Sequence, residues 1–245
     1  GYSENGVKGV PVLSLFDAQK KPVETLAAGD SGYAVLARTP FYVESGGQVS
    51  DQGWIETAAG RVRVSGVVKL GPGLPRAHRI EKAESPIAAR DIVSAAIDVD
   101  KRDATRRNHT ATHLLCALLP YPVDGCSITE TYARLDFHTD EPFDKDAIQS
   151  GLARLVAEAH PVRHRWISEE ELDANPGLVR SMSVQPPRGL GRVRVLEIEG
   201  VDLQPCGGTH VSNTAEIGAV VVTKIEKKSA KTRRVVLGFA QPNEA

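Results

Sequence analysis

The strongest constraint on how this chain folds comes from two short segments far apart in sequence, His109-Thr110-Ala111-Thr112-His113 and Cys206-Gly207-Gly208-Thr209-His210. In a helix, residues i and i+4 share one face about 6 Å apart along the axis, so the imidazoles of His109 and His113 can both reach one metal ion. A thiolate and a third imidazole from a glycine-bearing loop complete a His3Cys set suited to tetrahedral zinc. A HxxxH pair alone is common in ordinary helices, where its histidines simply pack or face water. Paired with CxxxH it requires a fold that brings residues 109–113 against residues 206–210.

The remaining metal-binding side chains fit this picture less well. Cys116 lies on the face of His113 but about 10 Å along the axis from His109, too far for the three to converge on one ion. It reads as a small buried hydrophobe. His160 and His164 repeat the i, i+4 spacing around Pro161 in a strand-like setting and read as exposed. His78 and His138 receive no role. A zinc peptidase is disfavoured, because Thr110 and Ala111 stand where HExxH carries its glutamate base.

The 245 residues suffice for two domains, and 41% apolar with 25% charged residues describes a globular chain rather than a disordered one. The longest apolar stretches, such as 217–222, fall well short of the roughly 20 residues that cross a bilayer. A net charge of −1 excludes a protein that coats DNA or RNA indiscriminately, so contact with nucleic acid requires a local basic patch. Three cysteines do not form a disulfide framework and fit a reducing, cytoplasmic compartment. The start at Gly1, without Met or an apolar leader, reads as a trimmed or excised segment rather than a signal peptide.

The fold class expected is α+β, in two domains. Residues 1–98 alternate apolar and polar side chains in short runs (10–15, 33–37, 61–68) punctuated by Gly, Pro and Asp, the rhythm of a small, partly closed β-barrel. Residues 99–245 predict helices over 104–119 and 144–159, with Ile148, Leu152, Leu155 and Val156 as the buried stripe of the second. Strands are expected over 128–137, 162–167, 193–198, 217–225 and 233–239, forming a mostly antiparallel sheet, with a Gly/Pro-rich connection over 185–191.

Three segments carry a family resemblance: 39–53 (TPFYVESGGQVSDQG), 108–115 (NHTATHLL) and 204–211 (QPCGGTHV). Together they resemble, in order, the editing module of alanyl-tRNA synthetases and the free-standing AlaX trans-editing proteins, over nearly the whole chain from about residue 7 to 239. The resemblance implies a glycine-rich β-barrel domain followed by a zinc-binding editing domain. It implies His109, His113, Cys206 and His210 as ligands of one zinc ion, and Gln48 as a barrel residue that Gly46 and Gly47 present to the site. Threonyl-tRNA editing modules carry a similar HxxxH and Cys/His arrangement, so the tRNA identity rests on the barrel and its SGGQ loop.

The activity implied is hydrolysis of the ester joining serine or glycine to alanine-specific tRNA, in trans or as an excised module. No aminoacylation motif is present, so the chain is not expected to charge tRNA. A synthetase pocket for alanine cannot exclude smaller glycine or near-isosteric serine by binding alone, and a site with buried hydroxyl partners rejects a methyl analogue well. Gln48, Thr112 and Thr129 are the candidate catalytic or substrate-reading residues, with Thr110 a further hydroxyl partner. Each threonine has a bland reading too, as a backbone-bonded helical Thr or a strand former. Arg106, Lys227 and Lys228, with Gly46 and Gly47, are the candidate contacts to the tRNA acceptor arm. Lys224, Lys231, Arg233, Arg234, Arg102 and Arg107 extend the basic runs, which otherwise read as solvated faces. The alternative to an enzyme is a zinc-containing tRNA-binding module whose four-ligand site only holds the fold together.

Overall fold

The computed structural model describes residues 2–71, 75–182, 185–186 and 188–240, and divides into two units, Gly1–Ser45 with Val49–Arg102, and Gly46–Gln48 with Asp103–Ala245. The expected connection over 185–191 is irregular where described; its residue 187 lies outside the described residues.

The first unit is all β: β1 (Gly6–Asp17), β2 (Pro22–Val23), β3 (Thr25–Leu26), β4 (Gly32–Leu36), β5 (Gly53–Thr57), β6 (Gly60–Val64), β7 (Gly66–Lys69), β8 (Arg76–Ile80), β9 (Ile87–Ala88) and β10 (Ile92–Ile97). Its main sheet is antiparallel in the order β6-β5-β10-β1-β4-β8-β7, with β2 beside β1. The edge strands β6 and β7 are consecutive in the chain with only Ser65 between them, and the Ser65 N–H reaches the Arg79 carbonyl at 2.9 Å. The sheet must curl to bring its two edges together, which makes it barrel-like. Inside lie Val7, Val12, Leu15, Ile55, Val62, Val64, Val67 and Ile80, the inward half of the alternating pattern.

A buried charge anchors the end of this unit. Arg102 is 1% exposed and donates from Nε to Asp51 Oδ1 at 2.8 Å and from Nη2 to the Pro40 carbonyl at 2.9 Å and to Asp51 Oδ2. Grouped with the basic runs by sequence, Arg102 is therefore unfit for phosphate; its guanidinium is engaged inside the protein.

The helix α1 (Val99–Leu118) starts five residues earlier than the sequence predicts, because Asp98 caps it: Asp98 Oδ1 accepts the Lys101 N–H at 3.1 Å. The second unit continues with β11 (Val123–Ile128), β12 (Ala133–His138), α2 (Lys145–Ala157), β13 (Val162–Ser168), α3 (Glu169–Ala174), β14 (Arg192–Ile198), β15 (Asp202–Pro205), β16 (Val220–Ser229) and β17 (Thr232–Phe239). Two antiparallel sheets result, β11-β12-β17-β16 and β13-β14-β15. Ala111, Leu114 and Leu115 of α1 and Ile148, Leu152 and Leu155 of α2 pack with Leu135, Phe137, Val235 and Leu237 in one core. Each such leucine contributes roughly 1.5–3 kcal/mol by leaving water.

Two expected strands differ, and two short elements are added. The single strand expected over 128–137 is a hairpin, since Thr129 Oγ1 accepts the N–H groups of Thr131 and Tyr132 and turns the chain between β11 and β12. The strand expected from Ile217 begins at Val220, after a 3-10 turn over Thr214–Ile217 capped by the Asn213 side chain. Short α3 and β15 add to the expected elements; α3 is set by Ser168, whose Oγ accepts the Glu171 N–H at 3.0 Å.

Candidate metal centre

His109, His113, Cys206 and His210 meet in the second unit, one ligand atom of each lying within 4.8 Å of all the others. Helix α1 supplies the first pair, whose rings are 5.5 Å apart, and the loop after β15 supplies the second. The imidazoles are nearly buried, at 6% to 8% exposed. Cys206 Sγ lies 3.2 Å from His210 Nε2 and 3.5 Å from His109 Nε2.

Each histidine is fixed through its other nitrogen. His109 Nδ1 donates to Gln48 Oε1 at 2.6 Å, His113 Nδ1 to Asp202 Oδ2 at 2.7 Å and His210 Nδ1 to Thr110 Oγ1 at 3.2 Å. With all three Nδ1 atoms engaged, the three Nε2 atoms are left to face the centre of the cluster. Ligand distances of about 2.0–2.3 Å to a tetrahedral zinc place neighbouring donors roughly 3.3–3.8 Å apart; the two Cys206 separations, 3.2 and 3.5 Å, lie close to this, and all four donors lie within 4.8 Å of one another. The group could hold a metal ion.

Burial opposes ionisation of the Cys206 thiol, but its interactions with His109 and His210 outweigh it and hold the thiol well below its usual range. Burial alone would lower the His113 imidazole, yet the hydrogen bonds it donates to Asp202 and Cys206, with their charge, push it up to about 10. Burial, then His109, hold His210 well below its ordinary value. Cys116 stays outside the cluster, its thiol pushed up to about 12 by burial.

The supporting residues explain the loops. Gln48 is 1% exposed; its Oε1 also accepts the Thr209 N–H at 2.9 Å and its Nε2 donates to Thr209 Oγ1 at 2.9 Å. Gly47 adopts φ +84° and a Cβ there would strike Cys126, while its carbonyl accepts the Ile128 N–H at 2.8 Å. A Cβ on Gly208 would strike the His109 ring and meet Gln48 Oε1 at 2.7 Å, so only glycine lets this loop approach the helix. Arg194 Nη1 braces the same loop by donating to the Cys206 and Gly208 carbonyls at 2.8 and 3.0 Å.

The other residues singled out by sequence are distributed differently. Thr112 is buried and its hydroxyl donates to the His109 carbonyl at 2.7 Å; the Thr129 hydroxyl donates to the Tyr132 carbonyl at 3.0 Å. Gly46 is exposed, its carbonyl bonded by the Cys126 thiol. Arg106 lines a cleft of about 500 Å³ with Asp103, Arg107, His210, Val211, Ser212 and Glu216, and donates to Asp103 at 2.8 Å. Lys227 and Lys228 are exposed on β16. Sequence reasoning missed Asp202, Gln204 and Thr209. A carboxylate four residues before Cys206 carries no motif of its own, and only the β15 pairing puts it on the His113 ring. His164, expected simply as exposed, lies with its ring 5.6 Å from that of His210.

A two-segment His3Cys group beside a cleft bearing arginines defines an α+β module that could hold a metal ion. The family described as threonyl and alanyl tRNA synthetase second additional domain matches residues 193–236, and the class II (A) tRNA synthetases match residues 1–101. Similar proteins include alanine–tRNA ligases of Synechococcus sp. strain JA-3-3Ab, 34% identical over 96% of this chain and 27% of the relative, and of Thermotoga maritima, 35% identical over 98% and 28%. A third, from Solibacter usitatus, is 35% identical over 96% and 27%. The chain spans about a quarter of the length of these relatives. The chain is thus similar over nearly its whole length to a segment of alanine–tRNA ligases, and its residues 193–236 match the second additional domain of threonyl and alanyl tRNA synthetases. Among the described residues no helix is long and apolar enough to cross a membrane.

Proposed function

We propose that the chain is an aminoacyl-tRNA deacylase that hydrolyses alanine-specific tRNA mischarged with serine or glycine, in the cytoplasm, with one zinc ion held by His109, His113, Cys206 and His210. The observation that carries this reading is the convergence of those four donors, each imidazole aimed by a second partner, beside the cleft that Arg106 lines. Zinc bound there would supply a fixed positive charge and Lewis acidity next to the ester. An aminoacyl ester is already activated, so water and ester brought together in a fixed orientation provide the acceleration the reaction needs.

The chain's own residues do the positioning. Gln48 holds the His109 ring and ties it to Thr209. The Thr112 hydroxyl locks the backbone carbonyl of His109, and Thr129 shapes the turn after Ile128, so both act through the frame of the site. Arg106 in the cleft, Gly46 and Gly47 beside Gln48, and Lys227 and Lys228 on β16 are the proposed contacts to the acceptor arm.

The deciding assay is deacylation of alanine tRNA charged with serine, glycine or alanine, with and without a chelator. The expected result is release of serine and glycine, sparing of alanine and loss of activity on zinc removal. Equal hydrolysis of all three would sink the editing reading. The four protein donors in one cluster also suit a structural ion, and tRNA binding without any hydrolysis would favour that second reading.

A further inference from the structure

On strand β13 the even-numbered residues Val162, His164 and Trp166 point to one face of the sheet, and antiparallel register carries that face across to Ile198, Leu196 and Arg194 of β14. The same face continues to Asp202 and Gln204 of β15 and on to Cys206, whose N–H bonds the Arg194 carbonyl at 3.1 Å. Along the face the inner end is core: Val162, Leu196 and Ile198 are 7%, 0% and 1% exposed. The outer end is open. Trp166 is 55% exposed, and the Arg192 guanidinium lies over its ring at 4.6 Å.

Trp166, Arg194 and Cys206 form one cross-strand row, so strand spacing alone puts the indole about 10 Å from the ligand sulfur. His164 lies in the adjoining row, against His210. From His164 outward the charged side chains of this face are Arg192 and Arg194, with no carboxylate among its described residues. An exposed indole capped by a guanidinium, flanked by arginine and abutting the metal ligands, is a surface for a flat, anionic, unpaired polymer.

We infer that Trp166 and Arg192 form a stacking platform for an unpaired nucleotide of the substrate RNA, one that precedes the nucleotide carrying the ester and is held by its base on the indole and its phosphate on the guanidinium. The platform rests on the deacylase reading for its substrate, but its binding test does not need turnover. Its occupant is single-stranded RNA, and both the indole face and the positive charge are used in taking it.

The chain has two tryptophans, so Trp54→Phe leaves Trp166 as the sole indole. Titration of that variant with a short single-stranded RNA ending in CCA is expected to quench Trp166 emission saturably, with weaker affinity as salt rises. Trp166→Ala is expected to lower kcat/KM on mischarged tRNA about ten-fold relative to kcat/KM on the same aminoacyl ester of adenosine alone, with Trp166→Phe recovering most of the loss. Quenching that persists although the protein hydrolyses no aminoacyl-tRNA supports the platform and removes only the deacylase reading. Trp166 emission that is indifferent to RNA, or that changes only with protein concentration, overturns the platform, the latter in favour of self-association. An equal loss on tRNA and on the adenosine ester overturns it too, because Trp166 would then act on the frame of the site.

Discussion

Asp202 shows how much of a metal centre lies outside its ligands. Its side chain is 6% exposed, and both of its carboxylate oxygens accept from Gln204 Nε2, at 2.9 and 3.0 Å, while Oδ2 also accepts the hydrogen bond of His113 Nδ1–H. The carboxylate thereby fixes the His113 tautomer and makes its Nε2 a better donor. Asp202→Asn keeps the shape and removes the charge, and is expected to weaken zinc affinity about 10- to 100-fold, measured by competition against a chromogenic chelator. Unchanged affinity would reduce the contact to packing. The residue is invisible in the sequence because its partner is 89 positions away.

The β16–β17 hairpin shows the same division for a whole element. Its basic run reads as one patch in sequence, yet its contacts split it: Arg234 binds Asp136 of the neighbouring β12 at 2.7 Å, Lys224 binds Glu226 of its own strand at 2.7 Å, and Arg233 donates to backbone carbonyls. Lys227, Lys228 and Lys231 remain exposed. Replacing Lys227 and Lys228 together by Ala is expected to weaken tRNA binding and to reduce the salt slope by about one for each phosphate no longer neutralised, read from binding isotherms at several salt concentrations. Binding unaltered at low salt would remove the hairpin from the RNA footprint. Helix α1 is legible in outline from its apolar spacing; its true start is not, since Asp98 acts as a cap only once the preceding strand ends there.

Whole-molecule stability carries a pH dependence set in the β unit. His78 is 1% exposed, its Nδ1 donating to the Ala34 carbonyl at 2.9 Å and its Nε2 accepting from Thr39 Oγ1 at 2.7 Å, and burial holds it down to about 4 from an ordinary 6.5. The unfolded chain therefore binds this proton more readily than the folded one. Stability is full above about pH 6.5 and falls as pH drops toward 4, by about 3 kcal/mol from this group. In a Trp166→Phe background, Trp54 reports on that unit, and its urea midpoint is expected to fall over this pH range. His78→Gln should flatten that part of the profile; an unaltered profile would assign the acid loss to other groups.

The sequence by itself determined the chemistry that could gather: four soft and borderline donors at helical and loop spacing, an alternating β region, and helices marked by their apolar stripes. Those features follow from local geometry, which a few neighbouring residues control. Only the tertiary structure decided which partners aim the ligands. Gln48, Asp202 and Thr110 each hold one imidazole, and which histidine each meets depends on strand register and loop approach. It also decided which threonine hydroxyls bond backbone carbonyls, and that His164 and Trp166 share a sheet face with Cys206. Contacts between residues distant in the chain are selected by packing and register, and no local pattern encodes them.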